Sequence, residues 1–171
     1  TGKNRNLNKS IKMNNKIVLA YSGGLDTSFC IPYLTKEKGY EVHTILVNTG
    51  GFSPEELRAV SAKALTLGAA SHRNVDKSGE YYDKCIKYML FGNILKNNTY
   101  PLSVSSERAF QAMAVVLYAK EIGAGAIAHG STGAGNDQVR FDYFVGVLAP
   151  QMKIVAPIRE LKIARRDEIE P

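Results

Sequence analysis

At 171 residues, with 44% hydrophobic and 22% charged side chains, the chain suffices for one well-buried domain and is short for two. It holds no run near the roughly 18 apolar residues of a membrane span, and its two distant cysteines, Cys30 and Cys85, suggest neither a disulfide framework nor a zinc site and read as small core residues. The net charge of +6 belongs to residues 1–16, where Lys3, Arg5, Lys9, Lys12 and Lys16 face no acid; the rest carries 17 basic and 16 acidic residues, which weighs against a nucleic-acid partner. A cytoplasmic enzyme or binding domain, with neither a membrane nor a nucleic-acid partner, is the expectation.

Residues 1–15, asparagine-rich and without the apolar segment of a secretion signal, read as a disordered basic tail or an expression remnant, with Met13 a candidate start. One domain is expected over residues 16–171. The apolar run 16–21, KIVLAY, predicts a buried strand leading into a glycine pair. A helix follows from about Thr27, disturbed at Pro32, which lacks the N–H for a helical hydrogen bond. Residues 41–49 predict a second strand. Ser53, Pro54 and Glu56 then give a helix start with a hydroxyl N-cap and a capping box. Leu57, Ala64 and Leu65 form that helix's apolar face, and Gly68 its stop.

Residues 71–76, SHRNVD, give a weak third strand. Tyr82, Cys85, Ile86, Met89 and Leu90 recur at helical spacing and predict an amphipathic helix, with Tyr81, Tyr82 and Tyr88 as packing residues. A polar loop (KNNTYPLSVSSE) precedes a helix expected from Glu107 to Ile122. Residues 125–130, GAIAHG, predict a strand. The loop STGAGND, a helix from about Asp137 and a last strand over 153–157 complete the pattern. His43, His72 and His129 fall on strands; the first two read as structural residues without partners, the third as structural or positioning. The end, RRDEIEP, is a charged helix start without a helix body and reads as a cut. This alternation predicts an α/β fold: a parallel twisted sheet of about five strands with helices on both faces, Rossmann-like. Ligands bind such sheets beyond the carboxyl ends of the strands, which selects the loops 21–28, 47–52 and 130–137.

In the stretch YSGGLDTS (21–28), Gly23 and Gly24 permit a tight turn with backbone amides open to an anion. The following helix start adds N–H groups and a positive dipole end. Ser22, Thr27 and Ser28 add hydroxyls. Asp26 suits such a site either at the helix cap or facing a magnesium ion that bridges phosphate oxygens. No lysine of the Walker type is present. In the second stretch, AHGSTGAGNDQVRFD (128–142), Asn136 and Arg140 project from one side of a first helical turn beside Asp137. Such an amide, carboxylate and guanidinium suit a zwitterionic amino acid, with Arg140 forking a carboxylate and Asp137 accepting from an ammonium.

The first loop resembles the SGGxDS pyrophosphate loop of the N-type ATP pyrophosphatases, and in the form AYSGGLDTS it is similar to that of the argininosuccinate synthase family. The second is similar to that family's HGxTGxGNDQxRF signature, and YPLSVSSER (100–108) stands at the position of its citrulline loop, with Ser103–Val104 in place of the usual glycine–threonine. The resemblance runs from about Lys16 to Ile169. It implies an adenine nucleotide alpha-hydrolase-like fold and a C–N ligase reaction of arginine biosynthesis and the urea cycle: ATP, citrulline and aspartate give argininosuccinate, AMP and pyrophosphate. ATP with magnesium is then a substrate complex, and no permanently bound cofactor is expected.

The resemblance further implies ATP contacts at Ala20, Tyr21, Ser22, Gly23, Gly24, Leu25, Asp26, Thr27, Ser28, Val47 and Gly130, with Asp26 the candidate magnesium ligand. Citrulline contacts fall on Tyr100, Ser105, Asn136 and Arg140, and aspartate contacts on Thr132, Asn136 and Asp137. Arg108 corresponds to an arginine near the reacting groups. No residue is assigned as general base. Family members are more than twice this long, and their second domain supplies further citrulline contacts and the interface of a homo-oligomer, a tetramer. A chain without it is expected to bind ATP, to turn over weakly or not at all, and to expose an apolar surface. Two other readings share the first loop: a tRNA-modifying thiolase of the same superfamily, which needs cysteines at the site, and a non-catalytic adenine-nucleotide-binding module.

Overall fold

The computed structural model describes residues 15–133 and 136–161. The basic tail up to Asn14, with Met13, and the RRDEIEP end lie outside the described residues. After Lys16, β1 (Lys16–Ala20) is apolar, and its three central residues are buried, as a strand covered on both faces requires. It runs through the glycine turn into α1 (Leu25–Pro32). Pro32 acts on the turn that follows: Tyr33–Glu37 winds more widely, and Lys38 N donates to Tyr33 O at 3.2 Å, five residues back. β2 (Glu41–Asn48) leads to α2 (Pro54–Thr66), whose start is the expected capping box. Ser53 Oγ accepts from Glu56 N at 3.2 Å, and Glu56 Oε2 accepts from Ser53 N at 2.8 Å. β3 (Ser71–Asp76) follows.

The next region departs from expectation. In place of one amphipathic helix stand α3 (Ser78–Tyr81), a wide turn Tyr82–Ile86 with five-residue hydrogen bonding, and α4 (Lys87–Phe91). The wide turn breaks the 3.6-residue period, so residues spaced by three and four no longer share a side. Tyr81 is buried, but Tyr82, Tyr88 and Leu90 are exposed, and Cys85 is half-buried rather than a core residue. The polar loop is also more ordered than expected. β4 (Leu95–Lys96) and β5 (Tyr100–Pro101) pair antiparallel, and α5 (Ser103–Glu121) starts at Ser103, four residues before Glu107. Tyr81 Oη donates to the Ser103 carbonyl oxygen at 2.7 Å and thereby fixes that start. β6 (Ala126–His129), α6 (Asn136–Leu148), β7 (Lys153–Val155) and α7 (Pro157–Leu161) complete the described elements.

The sheet is parallel, in the order β3-β2-β1-β6-β7. On one face Val18, Ile45 and Ile127 pack against Val115 of α5 and Val145 of α6; on the other, Ile17 and Leu19 pack against Cys30, Ile31 and Ala64. The chain winds outward from β1 to β3, then crosses back to β6 on the other side of β1. That reversal lies between β1 and β6, where Ala20 pairs in register with His129. It sets the loop after β1 beside the loop after β6. Val139, Tyr143 and Val147, spaced by four on α6, form an exposed apolar stripe.

The strand histidines have partners, contrary to the sequence reading. His43 Nδ1 lies 2.7 Å from Ser71 Oγ and its Nε2 3.1 Å from Glu41 Oε1, while His72 Nδ1 lies 2.8 Å from Thr44 Oγ1. The bonds of His43 to Ser71 and of His72 to Thr44 cross the β2–β3 ladder, so both histidines help hold its register.

Candidate functional site

Two close approaches shape the loop after β1. Gly23 has φ +78°, and a Cβ there would lie 2.8 Å from Val60 Cγ2 of α2. A Cβ on Gly130 would lie 2.9 Å from Thr27 Cγ2 and 3.1 Å from Thr27 N. Glycine at both points lets α2 press on the turn from one side and the β6 loop from the other. Within the turn, Ser22 Oγ lies 3.2 Å from Thr27 Oγ1, which donates to Gly24 O at 3.3 Å. Gly24 is the N-cap of α1 and offers no side chain to cover the first-turn amides. Ser28 turns inward instead, where its Oγ lies 3.2 Å from the buried Tyr21 hydroxyl. Burial pushes the Tyr21 phenol up, and the Ser28 bond opposes that shift.

A cleft of about 530 Å3 opens over this loop. Ala20, Ser22, Gly24, Leu25, Asp26 and Thr27 line one side of it, and Gly130, Thr132 and Asp137 the other. Its size falls in the range of small-molecule sites, roughly 300–1,000 Å3. A smaller hollow of about 120 Å3 adjoins it, lined by Tyr21, Ile45, Val47, Phe52 and Val115. Ala20, Ser22, Arg108, Gln111 and Phe141 border both spaces. The cleft and the smaller hollow thus share one wall. Gly23 and Ser28 shape the loop from behind without lining it.

The far side of the cleft is charged. Arg108 Nη2 lies 3.2 Å from Asp137 Oδ2, and Arg140 Nη1 lies 3.0 Å from Asp137 Oδ1. Arg108 Nη1 also donates to Gln111 Oε1 at 2.7 Å, Gln111 Nε2 to Glu107 Oε1 at 2.6 Å, and Thr49 Oγ1 to Glu107 Oε1 at 2.9 Å. This chain of bonds joins the loop after β2 to the first turn of α6. Asn136 and Arg140 stand at that first turn, near the cleft but outside its lining. Ser105 sits in the first turn of α5 and does not line the cleft, and Tyr100 lies on β5. Gln111 was absent from the sequence reading, although it follows Glu107 by four on a helix, the spacing that allows their bond, and Gln138 and Phe141, within the quoted 128–142 stretch, were given no role there.

Beneath the β6 loop, Ser131 N donates to His129 Nδ1 at 3.2 Å, so Nε2 carries the ring proton toward Asp142 Oδ1, 2.9 Å away. Arg159 Nη1 of α7 bonds Asp142 Oδ2 at 2.7 Å and Gln138 Oε1 at 3.2 Å. His129 is buried, and burial pulls its pKa down against the opposing pull of Asp142. For Asp142, burial alone would raise the pKa, but the bonds from Arg159 and His129 outweigh it and the net shift is downward. His129 thus anchors the loop as a neutral group.

In the unfolded chain His129 titrates near its ordinary 6.5 and takes up a proton that the folded site resists. Stability is therefore lost as the pH falls below about 6.5, and Asp142 adds a further loss below its ordinary carboxylate range. Urea unfolding at pH 7.5 and 5.5 is expected to show this drop in the wild type and a smaller drop in His129→Asn. Equal drops would assign the effect to other groups.

Among the described residues no group of three or more histidine, cysteine or acidic side chains is placed to hold a metal. Among the described residues, Asp26 is the one carboxylate on the phosphate-loop side of the cleft, which suits a cation that arrives with most of its oxygen ligands on a polyphosphate. Neither Cys30, which is buried, nor Cys85 lines the cleft, so the cysteines required by the thiolase reading are not at the site. No described helix is long and apolar enough to cross a membrane.

Residues 16–171 match the family model described as the arginosuccinate synthase N-terminal HUP domain. The chain is 44% identical over 158 residues to the argininosuccinate synthase of Leuconostoc citreum, covering 92% of this chain and 38% of the relative. It is 49% identical over 146 residues to that of Xanthomonas axonopodis, covering 85% of this chain and 35% of the relative. Against the Methanocaldococcus jannaschii enzyme of the same name it is 44% identical over 153 residues, covering 90% and 38%. The chain therefore spans little more than a third of the length of the curated relatives it matches. A solved structure from Methanocaldococcus jannaschii, described as a predicted subunit of tRNA methyltransferase, superposes with a TM-score of 0.58 at 17% identity, over 91% of this chain and 74% of that one; this likeness concerns the fold alone. With its strand order, its two glycine loops and these matches taken together, the chain belongs to the argininosuccinate synthase family, in the part described as the N-terminal HUP domain.

Proposed function

We propose that this chain is the nucleotide-binding part of a ligase that joins citrulline to aspartate, converting ATP to AMP and pyrophosphate. The observation that carries the proposal is the close approach of Gly130 to Asp26 and Thr27, with Gly130, Thr132 and Asp137 lining the same cleft as the phosphate-type loop. Residues 20–28 hold MgATP, with Asp26 toward the magnesium and the amides of the first α1 turn on the β- and γ-phosphates. The hollow at Val47 receives the adenine, and Gly130 closes the site. The citrulline ureido oxygen attacks the α-phosphorus, forming a C–O–P linkage as pyrophosphate leaves. The aspartate amine then attacks the ureido carbon, losing a proton as AMP departs with the oxygen.

Tyr100, Ser105, Asn136 and Arg140 serve citrulline; Thr132, Asn136 and Asp137 serve aspartate. Catalysis is mostly orientation and charge stabilisation, without a dedicated general base. A second domain outside this chain supplies further citrulline contacts and the interface of a cytoplasmic homotetramer acting in arginine biosynthesis and the urea cycle. The chain alone binds ATP and turns over weakly or not at all.

Calorimetry with MgATP, then citrulline, tests this reading. It predicts one MgATP per chain and citrulline binding that requires the nucleotide. Stoichiometric ATP binding indifferent to citrulline would favour a bare nucleotide module. A tRNA gel shift that persists without residues 1–15 would favour the thiolase. Steady argininosuccinate formation at the full-length rate would refute the weak-turnover expectation.

A further inference from the structure

The loop 22–28 lacks a lysine of its own, yet an ammonium stands directly behind it. Lys63, on the third turn of α2, donates from Nζ to the Gly23 carbonyl oxygen at 2.8 Å, across 40 positions of sequence. Val60, one turn earlier on the same helix, presses on Gly23. The helix that carries Lys63 is firmly anchored. It starts in the Ser53–Glu56 capping box, Ala64 is fully buried, and Asn74 Nδ2 of β3 donates to Ser61 Oγ at 2.8 Å.

No cis peptide occurs in the described chain, so the Gly23 carbonyl and the Gly24 N–H point in opposite directions within their shared plane. Lys63 takes the carbonyl on the α2 side. The Gly24 N–H accordingly points toward the cleft, where it donates to Ser22 Oγ at 3.4 Å, and both Gly24 and Ser22 line the cleft. We propose that Lys63 is a positioning residue for polyphosphate. By holding the Gly23 carbonyl toward α2, it keeps the Gly24 amide turned to the β- and γ-phosphates and sets a positive charge behind the loop. A glycine pair rotates its shared peptide with little steric resistance. Without the ammonium that carbonyl keeps only the longer bond from Ser28 Oγ, at 3.5 Å, and the peptide turns an acceptor toward an anion more readily. This assignment rests on the reading of residues 20–28 as an ATP phosphate loop.

The test is calorimetry on the 171-residue chain and its K63M and K63R variants, with MgATP, inorganic pyrophosphate and AMP, beside thermal melts. K63M is expected to weaken MgATP and pyrophosphate about tenfold, the range of one charge-assisted hydrogen bond, and to leave AMP affinity and melting unchanged. K63R, which still donates to the carbonyl, restores binding to within about threefold of wild type. Wild-type affinity in K63M, an equal loss for AMP, or a K63R no better than K63M would each overturn the assignment while leaving the functional reading in place. A wild-type chain that binds neither MgATP nor pyrophosphate would overturn both.

Discussion

Gly130→Ala is expected to weaken MgATP binding about 10- to 100-fold, from the roughly 1–3 kcal/mol that overpacking costs. The new Cβ would sit 2.9 Å from Thr27 Cγ2, 3.1 Å from Thr27 N and 3.2 Å from the Asp26 carbonyl carbon. A flexible side chain yields to such a contact, but the backbone of a helix start does not. Relief requires either the first turn of α1 or the end of β6 to move, and β6 is fixed by the Ala20–His129 register with β1. The first-turn amides assigned to the phosphates therefore shift with α1. Gly146→Ala is the control, since a Cβ there meets nothing within 4 Å and alanine favours the helix. Calorimetry should show the loss in the first variant and wild-type affinity in the second. Equal affinity in both would mean that the two loops do not share a ligand.

The second large effect is expected at Arg108. Its guanidinium is about one-third exposed, borders both cleft and hollow, and is held between Gln111 and Asp137. Arg108→Met keeps most of the volume and removes the charge. The ion pair with Asp137 is partly solvated, so stability should change by less than about 1 kcal/mol. Binding of a polyphosphate at the junction of the two spaces should weaken about tenfold, as expected for a lost charge-assisted bond. Urea unfolding and MgATP titration on the same variant separate the two. A large stability loss with unchanged affinity would make Arg108 a brace for Asp137 and nothing more.

The parts of this site that were legible in the sequence are those whose chemistry is local. A buried strand running into Gly23 and Gly24, and hydroxyls on the following helix, can be read from ten consecutive residues. The parts that were not legible depend on partners brought close by the fold. His43 and His72 find their partners through the β2–β3 register, which no local pattern specifies. Lys63 reaches a loop 40 residues away because α2 packs over it. Between Ser78 and Glu107 the periodicity misled, because a wide turn at Tyr82–Ile86 rotates the later residues off the buried side. There the aromatic spacing satisfied a helix template, while Tyr82 and Tyr88 stand exposed. Ser105 was placed on a loop, and it lies on a helix whose start is set by the distant Tyr81 hydroxyl.

A crystal structure of the chain with magnesium and a non-hydrolysable ATP analogue would show directly where the nucleotide lies. The β- and γ-phosphates are expected against Ser22–Ser28, the adenine in the hollow beside Val47 and Phe52, and the α-phosphate facing the loop after His129. An adenine lodged between Asp26 and Asp137, with the triphosphate running away from the Gly23–Gly24 turn, would contradict the assignment of both loops.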